Sequence, residues 1–218
     1  MMTRTLLCFG DSNTHGSPPL ERLGESYRRY DAATRWPRVA LAHLGTGWDL
    51  VEEGLPGRTA QFADPTMGQH MDGRDGLKIA LQSHGPVDVL TIMLGTNDTK
   101  TMFGAGPEAI MAGVASLLMI ALSDEVQARH GGFRLLLICP PPVIETGCLA
   151  PMFWGAAAKS LALPPLYQAL ATARGAGFLD AGQVIAVSPV DGVHFEPDGH
   201  AALGAAVARV VAALIPGA

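Results

Sequence analysis

Short apolar blocks alternate with longer amphipathic ones along this chain, and turn-forming residues fall between them. Thr5-Leu6-Leu7-Cys8-Phe9 is a continuous apolar run of strand length that stops at Gly10. Ser17 to Ala33 carries Pro, Gly and charge without apolar periodicity, a long excursion before the first helix. Arg35-Trp36-Pro37 opens that helix, with Thr34 as its N-cap, Pro37 in the first turn and Gly45 as its stop. Trp48 to Glu52 predicts a second strand, running into the glycine-punctuated turn Glu53 to Thr59. Asp64 to Asp75 has little pattern, Gly76 to His84 is helical, and Gly85-Pro86 closes it.

Val87 to Leu94 is nearly continuous apolar, as a parallel strand covered on both faces should be, and it leads into Gly95-Thr96-Asn97-Asp98. Pro107 to about Ala128 reads as the longest helix, with Ile110, Val114, Leu117, Leu118, Ala121 and Leu122 on one face. Phe133 to Cys139 predicts another buried strand, closed by three prolines. Val143 to Leu163 is irregular and carries Cys148, Met152, Phe153 and Trp154. An aromatic insertion of this kind is a packed loop, the wall of a substrate pocket or an oligomer interface. Pro164 to Gly175 is helical, Gly177 to Asp180 is the last strand, and a final helix runs from about Pro197 to Ile215. Strands alternating with helices through short links predict an α/β fold, a parallel sheet with helices on both sides.

Composition narrows the function classes. At 218 residues the default is a single domain, 1–218. The net charge of −5 comes without a basic cluster, which argues against nucleic acid as a partner. No apolar run approaches the roughly 20 residues that span a bilayer. The apolar stretch after Met1-Met2-Thr3-Arg4 is shorter than the about 7–15 residues of a signal-peptide core. The expectation is therefore a cytoplasmic protein without a membrane partner. Cys8, Cys139 and Cys148 are few, odd in number and unpatterned, and read as buried thiols.

The chemistry is concentrated in four loops, carrying Ser12, Gly57, Asn97 and the pair Asp191/His194. Acyl transfer needs a nucleophile, a base for its proton, a carboxylate to orient the base, and donors for the oxyanion. Ser12 would attack, His194 would act as base and then acid, and Asp191, three residues earlier, would fix the ring tautomer. The N–H groups of Ser12 and Gly57 with the Asn97 amide would form the oxyanion hole. Asp11 reads as a cap of the following loop. The remaining histidines lack metal-ligand spacing, and Glu196 to His200 fits a helix start better than a metal site.

Gly10-Asp11-Ser12, the turn at Gly57, Gly95-Thr96-Asn97-Asp98 and Asp191-x-x-His194 together resemble the SGNH (GDSL-type) hydrolases. Glu52-Glu53-Gly54-Leu55, Arg58-Thr59 and Met93 to Lys100 look like the bacterial arylesterase/acyltransferase branch. The resemblance implies a flavodoxin-like three-layer sandwich with a five-stranded parallel sheet in the order 2-1-3-4-5. It also implies a metal-free mechanism with no cofactor, small ester substrates, and homo-oligomers. One departure stands out: Asn13 to Pro18 occupies the place of that branch's tryptophan-rich turn, predicting a more polar entrance and leaving transfer to alcohols or peroxide open beside hydrolysis. The aromatic insertion, through Phe153 and Trp154, is expected to make the pocket narrow and apolar. The alternative from another class is a flavodoxin-like module cradling phosphate with the N–H groups of Gly10 to Gly16. That reading leaves Asp191 and His194 without a purpose.

Overall fold

The apolar runs do become strands, and their alternate residues divide between two helical layers. A computed structural model describes residues 3–215; the outermost residues of the expected single domain, 1–2 and 216–218, lie outside them. The strands are β1 (Arg4–Gly10), β2 (Trp48–Gly54), β3 (Val89–Met93), β4 (Arg134–Cys139) and β5 (Gly177–Asp180), all parallel in the order β2-β1-β3-β4-β5. This is the order that the resemblance implies.

On one face Leu7, Phe9, Leu90, Ile92, Leu135 and Leu137 pack against α3 (Gly73–Ser83), α4 (Pro107–Ala121) and α7 (Leu163–Ala173). On the other, Leu6, Cys8, Val89, Met93, Leu136 and Ile138 meet α2 (Trp36–Leu44) and α8 (Pro197–Leu214). Both faces of β1 and β3 are therefore dry, which explains why their sequence is a run rather than an alternation. Each fully buried Leu or Ile contributes roughly 1.5–3 kcal/mol, so the central strands anchor the fold.

Register decides where chemistry can sit. Gly10 pairs with Gly54 on one side and Met93 on the other, so three strands end along one edge of the sheet. The order reverses between β1 and β3, and open α/β sheets bind ligands in the crevice beyond such a switch point. The four-residue helix α1 (Ser12–His15) lies directly on that edge. Two glycines make this approach possible. A Cβ on Gly10 would meet Thr14 Oγ1 at 2.1 Å, and one on Gly54 would meet the His15 nitrogen at 2.2 Å.

Several boundaries differ from the sequence reading. The predicted helix 107–128 is two helices, α4 and then α5 (Asp124–His130), bent by 53°. Ser123 takes the cap position, and Asp124 and Glu125 fill the first turn of the new helix, a charge arrangement that favours a fresh start over continuation. Helix α3 begins at Gly73, earlier than Gly76, because the Asp72 carboxylate accepts the Arg74 N–H at 3.0 Å. Arg35, not Thr34, precedes α2; Thr34 is engaged instead by the Asp31 carboxylate. The segment 143–163 is a 3-10 turn (Gly147–Met152) and a short helix α6 (Ala156–Leu161). It closes a third, small apolar cluster of Val143, Leu149, Phe153, Ala156 and Val193. Cys8 and Cys139 are buried, while Cys148 is only half-buried and faces the Leu20 carbonyl at 3.3 Å.

Candidate active site

The loop after β1 delivers Ser12 as the first residue of α1, and Asp11 caps that helix by accepting the Asn13 N–H at 2.9 Å. Across the crevice, the loop before α8 holds Asp191 and His194. Its backbone is folded tightly: the Ser188 N–H donates to the His194 carbonyl (2.7 Å) and the Gly192 N–H to the Ser188 carbonyl (2.9 Å). Gly192, at φ +75°, lies so close to the 144–146 segment that a Cβ there would sit 1.7 Å from the Ile144 oxygen. Asn13 ties the two loops together, its amide donating to the Val193 carbonyl at 3.1 Å.

These constraints produce one hydrogen-bonded line. His194 Nε2 is 3.1 Å from Ser12 Oγ, and His194 Nδ1 is 2.6 Å from Asp191 Oδ2. Asp191 is fully buried, and all its acceptor capacity is directed. Oδ1 accepts the N–H groups of Val193 and His194, both at 3.0 Å, and Oδ2 accepts the Leu20 N–H at 2.8 Å. Burial pushes the Asp191 carboxyl up, but the His194 ring and the backbone donors outweigh it and hold the group below its usual range. A carboxylate so held stays ionised and keeps the Nδ1 proton on the ring, leaving Nε2 free to face Ser12.

The donor side lies opposite. Ser12, at the start of a helix, has an N–H without an intrahelical acceptor. Gly57 sits in a left-handed turn at φ +89°, and it borders the same cavity as Ser12, Asn97 and His194. The Asn97 amide donates to the Arg58 carbonyl at 3.1 Å and makes a longer contact with Asp11 Oδ2 at 3.4 Å. Two buried carboxyls stand behind it. Burial pushes Asp11 up to about 6. Burial, with Asp11 nearby, takes Asp98 up to about 7 despite the Ala60 N–H on both its oxygens, at 3.0 and 2.9 Å. Asp98 thereby clips the segment that follows Gly57 to the loop carrying Asn97. Arg58 packs its guanidinium 4.1 Å over the Phe9 ring and donates to the carbonyls of Gly10 and Glu53.

A cavity of about 270 Å³ opens over these groups. Its walls are largely apolar, with Leu20, Met67, Leu149, Phe153 and Val193, and polar groups from Ser17, Glu25, Arg28 and Lys100 interrupt them. Ser12, Gly57, Asn97 and His194 thus line one crevice, and Asp191 lies buried behind His194. Phe153 also borders the cavity, as expected of a pocket wall. Trp154 does not: it is 71% exposed and outside the lining, because Phe153 turns into the apolar cluster and its neighbour must face away.

Other participants carry no signal of their own in the sequence. The excursion 17–33 is a wall of the cavity, and its Leu20 N–H serves Asp191 through the backbone, which no side-chain pattern reveals. It is tied to the sheet by Arg29, which converges with Arg35 and with Arg38 of α2 on Glu52 of β2, and by Arg35 donating to the Tyr30 carbonyl at 2.8 Å; the Arg35–Glu52 pair is bidentate at 2.8 and 3.0 Å. Of the remaining histidines, His130 bonds the Leu81 carbonyl and the Val87 N–H, and His200 accepts the Trp36 N–H, so both serve the interior.

The profile of the GDSL-like lipase/acylhydrolase family matches residues 8–202. Among solved structures, Est24, a carbohydrate acetylesterase from Sinorhizobium meliloti, is 36% identical, with a TM-score of 0.92 over 98% of this chain and 100% of its own. The aryl esterase of M. smegmatis is 35% identical with the same TM-score and coverage. A carbohydrate acetylesterase family member from Sinorhizobium meliloti is 32% identical, with a TM-score of 0.87 over 97% and 99% of the two chains. Among curated proteins none matches.

Proposed function

Because the chain belongs to the GDSL-like lipase/acylhydrolase family and is a carboxylic ester hydrolase, we propose that it cleaves small acyl and aryl esters through a Ser12–His194–Asp191 triad and an acyl-enzyme. The observation that carries this reading is the unbroken line from Asp191 to His194 to Ser12, at 2.6 and 3.1 Å, opening on the cavity. Family membership displaces the phosphate-binding alternative for Gly10 to Gly16.

In this mechanism Ser12 Oγ attacks the ester carbonyl carbon while His194 Nε2 takes its proton. The carbonyl electron pair moves onto oxygen, where the N–H groups of Ser12 and Gly57 and the Asn97 amide receive it. Collapse breaks the bond to the alcohol, which leaves with the proton from His194. Water then repeats the sequence on the acyl-enzyme, with His194 again as base, and releases the acid. Alcohols or peroxide that enter the apolar cavity compete with water at this second stage, which is where transfer parts from hydrolysis. A cavity of about 270 Å³ suits short acyl groups.

The test is hydrolysis of p-nitrophenyl esters of increasing acyl length by wild type and Ser12→Ala matched by circular dichroism. Loss of activity with Ser12, together with labelling of Ser12 by a fluorophosphonate, is the expected result; activity surviving in Ser12→Ala would remove the nucleophile from its role. We also read the chain as a cytoplasmic homo-oligomer, supported by its unpaired cysteines and by the exposed Met102 and Trp154, on segments that Thr101 Oγ1 joins by donating to the Trp154 carbonyl. Light scattering after gel filtration measures the assembly directly, and a monomer would refute that part.

A further inference from the structure

Lys100 is a lysine in an unusual position. It borders the same cavity as Ser12, Asn97 and His194, yet only 4% of its surface is exposed. Its nearest carboxylate oxygen, Asp64 Oδ2, is 3.6 Å away, longer than a hydrogen bond. The other Asp64 oxygen is already occupied by the N–H and hydroxyl of Thr66 and the N–H of Met67. An ammonium has three donors, and burying them unspent is costly. Here they are unspent on the protein, beside an open cavity.

Asp64 offsets the charge at ion-pair distance but accepts no hydrogen bond from it. Asp11 and Asp98 are nearby and favour the charged ammonium, but both are directed elsewhere, at the Asn13 and Ala60 N–H groups. Glu25, the carboxylate in the cavity wall, is paired with Arg28 at 2.7 Å. Lys159 brings a second ammonium to the carbonyl of Thr99, at 3.1 Å. The cavity is thus an apolar slot with one ammonium in its wall, held at ion-pair distance by Asp64 but making no hydrogen bond to the protein.

We propose that this cavity takes esters bearing a carboxylate on their acyl or alcohol part, and that Lys100 is the residue that binds it. The inference rests on the esterase reading and adds the substrate class. A neutral ester fills the apolar walls and leaves the ammonium donors with only the long Asp64 contact; an anionic one accepts a charge-assisted bond from them in a water-poor site. Lys100 thereby acts on specificity, discriminating between esters of equal size.

The experiment uses two matched pairs on the full chain. Mono-4-nitrophenyl glutarate against 4-nitrophenyl 4-carbamoylbutanoate places the charge on the acyl part; 3-acetoxybenzoate against 3-acetoxybenzamide places it on the alcohol. The quantity read is the ratio of kcat/KM, anionic over neutral. Wild type is expected to favour the anionic member of one pair by about tenfold. Lys100→Met should abolish the preference, Lys100→Arg should keep it, and raised salt should erode it in wild type. If Lys100→Met does not fold, Lys100→Gln and the salt series read the same quantity. A ratio at or below one in both pairs, or one unmoved by removing the charge, overturns the proposal while leaving the esterase intact. If no ester is cleaved, the functional reading fails separately, and calorimetry still decides the subsite. Equal affinity for glutaramate and glutaramide, and for 3-hydroxybenzoate and 3-hydroxybenzamide, would overturn it.

Discussion

Asp191→Asn isolates the contribution of charge and tautomer at nearly constant volume. In the wild type one oxygen faces two N–H donors, from Val193 and His194, and the other faces the Leu20 N–H and His194 Nδ1. An asparagine has one oxygen and one NH₂ for these places. If the NH₂ replaces Oδ1, it meets two backbone donors; if it replaces Oδ2, it meets one backbone donor and a ring nitrogen that can change tautomer. The second arrangement is less costly. It forces Nδ1 to accept and puts the ring proton on Nε2, pointing at Ser12 Oγ 3.1 Å away. The base is then blocked. The expected loss in kcat is on the order of 10³–10⁴, about 4–5.5 kcal/mol of barrier. The unpaired Leu20 N–H costs a further roughly 1–3 kcal/mol of stability, or about 2–12 °C in Tm for a chain of this size. Turnover of p-nitrophenyl acetate and a thermal melt measure the two separately. A kcat within tenfold of wild type, in a protein with the expected melt, would refute the tautomer argument.

Three further substitutions probe the supports of the site. Phe153→Ala removes a ring from the cavity wall and from the apolar cluster behind it, so the acyl-length optimum should move to longer chains; an unchanged profile would show that Phe153 does not bound the acyl group. Gly192→Ala demands a left-handed alanine with its Cβ inside the Ile144 oxygen, and should lower kcat/KM on the order of 10²-fold by displacing the loop between Asp191 and His194; activity near wild type would mean that the loop relaxes without cost. Asp98 binds its proton more tightly when folded, up to about 7, than unfolded, so its contribution is complete below about pH 4 and is lost as pH rises through about 7. Asp98→Asn keeps an acceptor for Ala60 and cannot ionise, so the Tm difference between variant and wild type should shift in the variant's favour from about pH 5 to about pH 8; a difference independent of pH would refute the burial of an ionisable group there.

The parts of the fold readable from sequence were those where burial leaves a one-dimensional trace. Leu6 to Phe9 and Val89 to Met93 are covered on both faces, so their runs name them as central strands. Ser12, Asn97, Asp191 and His194 could be singled out as candidates because their side-chain types are those that acyl transfer requires, and each follows a turn. What escaped was backbone-mediated or set by tertiary contact. Leu20 reaches Asp191 through its N–H, which any residue but proline supplies. The excursion 17–33 has no core-facing stripe and is tied down by polar contacts instead, Arg29 to Glu52 and the Tyr30 carbonyl to Arg35. The break after Ala121 hides in a segment whose apolar residues continue past it, while Ser123 takes extended backbone and turns its hydroxyl back to the Ile120 carbonyl. Trp154 misled because an aromatic suggests a pocket, while only its neighbour Phe153 could turn inward.

The distance along the chain between the proposed nucleophile and its proposed base has a consequence for synthesis. Ser12 and His194 stand 182 positions apart, and the latter's loop is followed by α8, which packs against α2 on the same face of the sheet. Synthesis therefore releases the proposed nucleophile well before its proposed base. Until α8 has emerged and covered Leu6, Cys8 and Met93, Ser12 is an ordinary alcohol on an unfinished sheet. Chains cut short by stalled translation or proteolysis would therefore be inert toward esters rather than weakly active, and the appearance of activity during synthesis in vitro would time the docking of the last helix.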